Sequence, residues 1–296
     1  MINDNLFQSL VSLIRKTVST IPDDVTRLLK DYASQEQNPI AQNNLNIMLK
    51  NIQLARNNGQ TVCSGTGMLT FKIIHPPGFI QKELVYNIHQ AIIHCTQQGF
   101  LRQNSVEAIS GKNTGNNLGE GHPEICFIEQ DTKNIEIRLL LKVGGPDNLS
   151  PQYSLPYTHL DLFIANRDLE GIQKVILHSL VKAQGKGCSP GIIGVCIGGD
   201  RPGGYITANE QFWRHMTDSN PDPILAKLEQ EILTKANQLG IGPMGLGGQT
   251  TLLACKIGTL NRLPASFYVT IRYMCWAFRR QGILLNNSNT IEQWLY

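Results

Sequence analysis

The period at which apolar residues recur changes along this chain, and that change restricts it to folds mixing helices with sheets. Leu6, Leu10, Leu13 and Ile14 fall on one helical face. Ile21-Pro22-Asp23-Asp24 breaks that helix and starts a second with acids in its first turn. Asn38-Pro39 opens a third, carried by Ile40, Leu45, Met48, Leu49, Ile52 and Leu54 to a stop at Asn57-Asn58-Gly59. A Gly-Thr-Gly turn at 65–67 then leads into a strand from Met68 to Ile74, ended by Pro76-Pro77. Helix is expected over about 80–98, with Leu84, Ile88, Ile92 and Ile93 on one stripe. Beyond the glycine-punctuated loop 111–119, strands are expected at 124–129, 134–143, 191–198, 250–258 and 266–274. Helices are expected at 167–183 and from Pro221 through Leu239. Because no regular βαβ repeat emerges, the pattern predicts an α+β fold over residues 1–296, with lobes of about 1–110 and 111–296.

Composition removes several classes of function. At 296 residues and 41% hydrophobic, the chain can bury a substantial core. Charged residues are 17% of the total and the formal net charge is +3, with no basic run longer than Arg279-Arg280. That argues against a nucleic-acid surface. No apolar stretch approaches the ~18 residues of a membrane helix, and Met1-Ile2-Asn3-Asp4-Asn5 lacks the marks of a signal peptide. The seven cysteines are odd in number and widely spread, unlike a secreted disulfide framework. A reducing, cytoplasmic setting is expected, where cysteines are free thiols or metal ligands.

The local motifs are sparse. Gly242 to Thr250 has the look of a phosphate loop but carries Gln249 where the phosphate-binding lysine should stand. No His-Glu-x-x-His pattern occurs, and His89 and His94 are five apart, off register for one helix face. Cys63, Cys188 and Cys275 each sit at the end of an element beside a turn, where a side chain can face a cleft. Cys95, Cys126, Cys196 and Cys255 lie within helix or strand patterns and read as small core residues. Spacing alone does not group the first three.

A longer set of segments does. Thr61 to Gly67, Leu101 to Glu107, Lys112 to Asn116, Lys142 to Gly145 and Gly187 to Pro190 with Gly194 come first. Gly240 to Gly248, and Pro264 to Phe267 with Cys275 to Arg280, follow in the same order. Together they resemble the class I, iron–sulfur-dependent fumarases and L-tartrate dehydratases, in their α subunit or N-terminal domain. The resemblance implies a [4Fe-4S] cluster held by Cys63, Cys188 and Cys275, with one iron open to substrate. It implies that Arg102 helps hold a substrate carboxylate, and that Ser64, Gly65, Asn113, Thr114, Gly144 and Gly145 line the substrate cavity. Arg102 and Thr66 are the catalytic candidates. For Arg102 the plain alternative is a surface salt bridge.

The departures from the family pattern are specific. Gln and Asp of the family's Cys-Gln-Asp-Thr-Gly are here Ser64 and Gly65, and the His of Arg-His-Pro-Ala-Ser is Leu263. The Asp before the paired arginines is Phe278, the second residue of Cys-Pro-Pro is Ser189, and a Ser and a Lys of the glycine loop are Pro146 and Leu149. The resemblance therefore implies a less polar pocket and an impaired version of the usual reaction, since acid–base assistance is worth ~10²–10⁴ in rate. It also implies a β-type partner supplying the missing second half of the site, an oligomer of αβ units, and a small carboxylic acid as substrate. The leading expectation is an iron–sulfur hydro-lyase subunit. The alternative is a catalytically impaired paralogue that scaffolds or regulates its partner.

Overall fold

The computed structural model describes residues 3–160 and 162–296. Three helices come first. α1 (Asp4–Ser19) is capped by Asn3, whose side chain accepts from the amide of Leu6. α2 (Asp23–Gln35) and α3 (Pro39–Asn58) follow, the latter capped by Asn38, which accepts from the amides of Ile40 and Ala41. Then come β1 (Met68–His75), α4 (Gln81–Gln97), β2 (Glu124–Glu129), β3 (Ile135–Lys142) and the single turn α5 (Gly144–Asp147). Short strands β4 (Gln152–Ser154), β5 (Tyr157–His159) and β6 (Phe163–Ala165) precede α6 (Leu169–Ala183), β7 (Gly191–Gly198) and α7 (Arg201–Glu210). The chain continues with α8 (Pro223–Asn237), β8 (Leu252–Leu260), β9 (Tyr268–Met274), β10 (Arg280–Leu285) and β11 (Ile291–Trp294). The fold is α+β.

The chain divides into two compact units that interleave in sequence. The first comprises residues 1–23, 50–144 and 277–296, and the second 24–49 and 145–276. The lobes expected at 1–110 and 111–296 are not this division. The compositional change near 110 marks a polar loop inside the first unit, because β2 and β3 beyond it pair with β1.

The first unit is built on a five-stranded sheet ordered β11-β10-β3-β1-β2, with only the β1–β2 pair parallel. Leu69, Phe71 and Ile73 of β1 meet Ile137, Leu139 and Leu141 of β3 across one face. Leu10, Leu13 and Ile14 of α1 and Leu84, Ile88 and Ile92 of α4 cover that face, so the two predicted helical stripes are the core stripes.

A four-stranded sheet ordered β4-β9-β7-β8 organises the second unit. β7 is apolar almost throughout because it is covered on both faces. α6 and α8 pack with Ile193 and Val195 on one side. On the other, α7 lies so near β7 that a side chain at Gly194 would strike the backbone carbonyl of Ala208. α7 has no counterpart in the sequence reading, which placed 198–204 among the glycine loops. Gly203 and Gly204 lower helix propensity, and the cap at Asp200, Pro202 in the first turn and packing on the sheet outweigh them. Among the described residues no helix is long and apolar enough to cross a membrane.

Candidate functional site

In the first unit, Cys63 opens the turn that joins α3 to β1. Its entry is pinned by the Val62 amide donating to Val18 at 3.0 Å and by Asn51 donating to the Val62 carbonyl at 2.8 Å. Cys63 is half-buried and Ser64 exposed. Gly67 has φ +82, and the Lys142 carbonyl lies 2.5 Å from where a β-carbon would stand, so only glycine fits. From below, fully buried Arg279 donates through Nη2 to the Gly65 carbonyl at 2.5 Å. The basic pair is interior: Arg279 and Arg280 are both 0% exposed.

A second loop, 101–119, is tied to this turn through Thr66. The Thr66 hydroxyl accepts from the Arg102 amide at 3.1 Å and from Asn104 Nδ2 at 2.8 Å. Thr66 is buried, so its geometry is that of an anchor for the turn rather than of a group reaching substrate. Arg102 is exposed, and among the described residues its guanidinium makes no ion pair. Asn113 and Thr114, also exposed, bond to the carbonyls of Gln103 and Ser105. Gly144 and Gly145 are exposed at the start of α5, with open space where β-carbons would stand.

Asn117 organises the whole loop. It is 1% exposed and holds φ +59, a left-handed conformation that asparagine tolerates better than most residues. Its Oδ1 accepts from the amides of Asn104 (2.7 Å) and Ser105 (3.3 Å), and its Nδ2 donates to Thr96 Oγ1 (3.0 Å) and the Arg102 carbonyl (2.9 Å). Asn117→Leu strands those partners in a buried setting and is expected to cost about 3–4 kcal/mol in urea unfolding.

In the second unit, Cys188 ends the short turn Gln184–Gly187 in a left-handed conformation, φ +53. Its amide donates to Gly185 at 3.0 Å, and its carbonyl accepts from the Trp276 amide at 3.2 Å, which brings the residue after Cys275 against it. Tyr273, two residues before Cys275, is within electrostatic reach of both thiols. Burial first, then the Cys275 and Cys188 charges, push its phenol well above its ordinary range. Ser189 is fully buried and donates to the Gly242 carbonyl at 2.6 Å. The Met244 amide donates back to Ser189 at 2.8 Å. The glycine loop 240–248 therefore uses its backbone to brace the Cys188 turn.

The remaining cysteines separate by environment. Burial pushes the Cys95 thiol up to about 12 and the Cys196 thiol up to about 11, and it raises Cys255 further. These three are inert core thiols. Cys126, expected in the core, is instead exposed, because it stands level with Lys72 on the sheet face away from α1 and α4, while its neighbours Ile125 and Phe127 take the core face. Among the described residues no group of three or more His, Cys, Asp or Glu side chains is gathered as a metal site. Of the expected ligands, Cys188 and Cys275 are neighbours in one unit and Cys63 belongs to the other. The donor set is all thiol, half-buried or buried, which is the chemistry an iron–sulfur cluster requires.

Comparison with known proteins decides the family. The model of the fumarate hydratase (Fumerase) family matches residues 7–283. The chain belongs to the fumarate hydratase family. An assigned class I fumarate hydratase of Geobacillus stearothermophilus is 45% identical over 99% of this chain, which spans 57% of that relative's length. An assigned L(+)-tartrate dehydratase subunit alpha of Methanocaldococcus jannaschii is 30% identical over 91% of this chain and 94% of its own. The L(+)-tartrate dehydratase subunit alpha of Escherichia coli K12 is 28% identical over 97% and 93%.

The positions at which the resemblance implies a departure from the family pattern fall in unlike settings. Gly65 has ordinary van der Waals space for a β-carbon, 3.5 Å from Val143 and 3.8 Å from Cys63 Sγ. Leu263 is 73% exposed and lines an open groove of about 910 Å³ with Leu260, Arg262 and Tyr268. Phe278 is an interior residue. It is fully buried, with the Arg280 guanidinium over its ring at 5.2 Å and over Tyr296 at 4.4 Å. Asn104 and Asn117 escaped the sequence reading. The signal available was Asn116-Asn117 in a glycine-rich loop, since asparagine is the usual non-glycine occupant of a left-handed position.

Proposed function

We propose that this chain is the α-type part of a [4Fe-4S] hydro-lyase, adding water to or eliminating it from a small hydroxy or unsaturated carboxylic acid. What supports this is membership of the fumarate hydratase family together with the pairing of the Cys188 turn against the residue that follows Cys275. The thiols of Cys63, Cys188 and Cys275 hold the cluster. When bound, it supplies a Lewis-acidic iron for a substrate carboxylate and departing hydroxyl. The guanidinium of Arg102 grips a carboxylate. Ser64, Asn113 and Thr114 offer hydroxyl and amide groups, and Gly144 and Gly145 leave room for the substrate to approach the backbone. Thr66 keeps the Cys63 turn in register with Arg102. With no titratable side chain at Gly65 or Leu263, proton removal falls to another group. A β-type partner, suggested by the names of the alpha-subunit relatives, supplies the rest of the site in an oligomer of αβ units in the cytoplasm.

The loss of Asp and His at Gly65 and Leu263 favours a second reading, an impaired paralogue that scaffolds or regulates its partner. The complex, reconstituted anaerobically with iron and sulfide, separates the two. Turnover of fumarate, malate, L-tartrate or a related acid, lost on cluster removal, is expected. Full iron loading with no turnover across the panel supports the scaffold instead.

A further inference from the structure

Glu36 is a buried carboxylate held by backbone amides and a hydroxyl. It lies between α2 and α3, is 5% exposed, and among the described residues has no basic partner. Its oxygens are filled by one loop and its own turn. Gln249 donates its amide at 3.0 and 3.1 Å, Thr250 its amide at 3.0 Å and its hydroxyl at 2.9 Å, and Asn38 its amide at 3.2 Å. Taking a carboxylate out of water is costly unless its acceptor sites are met by good donors. Here the donors that compensate it come mainly from the end of the 240–250 loop, so the interaction fixes where that loop lies.

The other end of the same loop holds the Cys188 turn with no slack. Gly242 has φ +68, and the Gly247 carbonyl occupies the place of its missing side chain. Gly245 and Gly185 meet backbone to backbone, a β-carbon on Gly245 falling 2.6 Å from the Gly185 α-carbon. Ser189 is bonded in both directions, to the Gly242 carbonyl and from the Met244 amide. Cys188 itself holds a left-handed conformation that a residue with a β-carbon keeps only when its surroundings enforce it. A shift of the 240–250 loop is therefore transmitted to the direction of the Cys188 thiol.

We infer that Glu36 is a positioning residue for Cys188, acting through the 240–250 loop; its bearing on an iron centre rests on the function proposed above. The test uses full-length Glu36→Gln, with Thr250→Val as a milder variant should the first fail to fold. In reduced, cluster-free protein, iodoacetamide labelling of each cysteine is followed by peptide mass spectrometry. The Cys188 rate is expected to change by at least about fivefold while exposed Cys126 and buried Cys95 and Cys255 are unchanged. In reconstituted protein, a shifted electron paramagnetic resonance signature with bound iron is expected, and Glu36→Asp should restore part of it.

An unchanged Cys188 rate in folded protein, or a parallel rise at Cys95 and Cys255, overturns the inference. A selective Cys188 effect in protein that never binds iron upholds it while removing the iron–sulfur reading. A wild-type signature with an unchanged Cys188 rate does the reverse.

Discussion

Cys188→Ala is expected to leave a folded chain that retains no iron above background after anaerobic reconstitution. The fold should survive because what holds this residue is backbone: its amide to Gly185, its carbonyl from Trp276, and the bonds of Ser189 beside it. Alanine carries the same β-carbon into the same left-handed conformation, so no new backbone strain is added. What disappears is a half-buried sulfur next to Cys275. Cluster irons bind through thiolates, and removing one of three leaves an iron without its protein ligand. Cys63→Ala and Cys275→Ala are expected to behave alike. The contrast is Cys126→Ala, at an exposed edge position, and Cys196→Ala, whose thiol burial already holds protonated; both should retain wild-type iron. Iron and acid-labile sulfide per chain decide it, and full iron in Cys188→Ala would discard the ligand assignment.

The second large effect is a gain. Ser64→Gln, Gly65→Asp and Leu263→His together introduce the polar groups that the resemblance implies for these positions, and each position accommodates the change. Ser64 is exposed, Gly65 is outside the left-handed region with ordinary contacts around a new β-carbon, and Leu263 is 73% exposed. A positioned acid or base contributes ~10²–10⁴ in rate, equivalent to roughly 3–5 kcal/mol of barrier. In the reconstituted complex, kcat/KM for fumarate hydration or L-tartrate dehydration is expected to rise by about 10² or more. No rise, in a folded variant with full iron, would show that these three positions do not limit the reaction. Phe278→Asp does not belong in that set. It would bury a carboxylate where an aromatic ring now packs under Arg280.

Most of the secondary structure was legible because single-period stretches were long. The stripe Leu6, Leu10, Leu13, Ile14 is the buried face of α1, and the alternation through Ile137, Leu139 and Leu141 is the inner face of β3. α7 was hidden by two glycines whose purpose, close approach to a sheet, is a tertiary fact. Cys126 looked interior because both faces of Glu124–Glu129 carry apolar residues, so the sequence does not say which face meets the core. The candidate ligands stand 125 and 87 residues apart, beyond any local pattern, and only family resemblance groups them. Glu36 and Asn117 were invisible for a related reason. Each is defined by the backbone amides it collects, and amides leave no mark in a sequence.

The discontinuous first unit carries a consequence for biosynthesis. β3 is edged on one side by β1 but waits on the other for β10, with Leu140 paired to Arg280, 140 positions further along the chain. As the polypeptide emerges from the ribosome, the whole 145–276 segment must be made before that vacancy is filled. Until then the sheet has an apolar strand with open hydrogen-bonding groups along one side, the form most prone to wrong pairing with another chain. A nascent chain of this kind depends on shielding until its last strands arrive, whereas the nested unit can complete itself earlier.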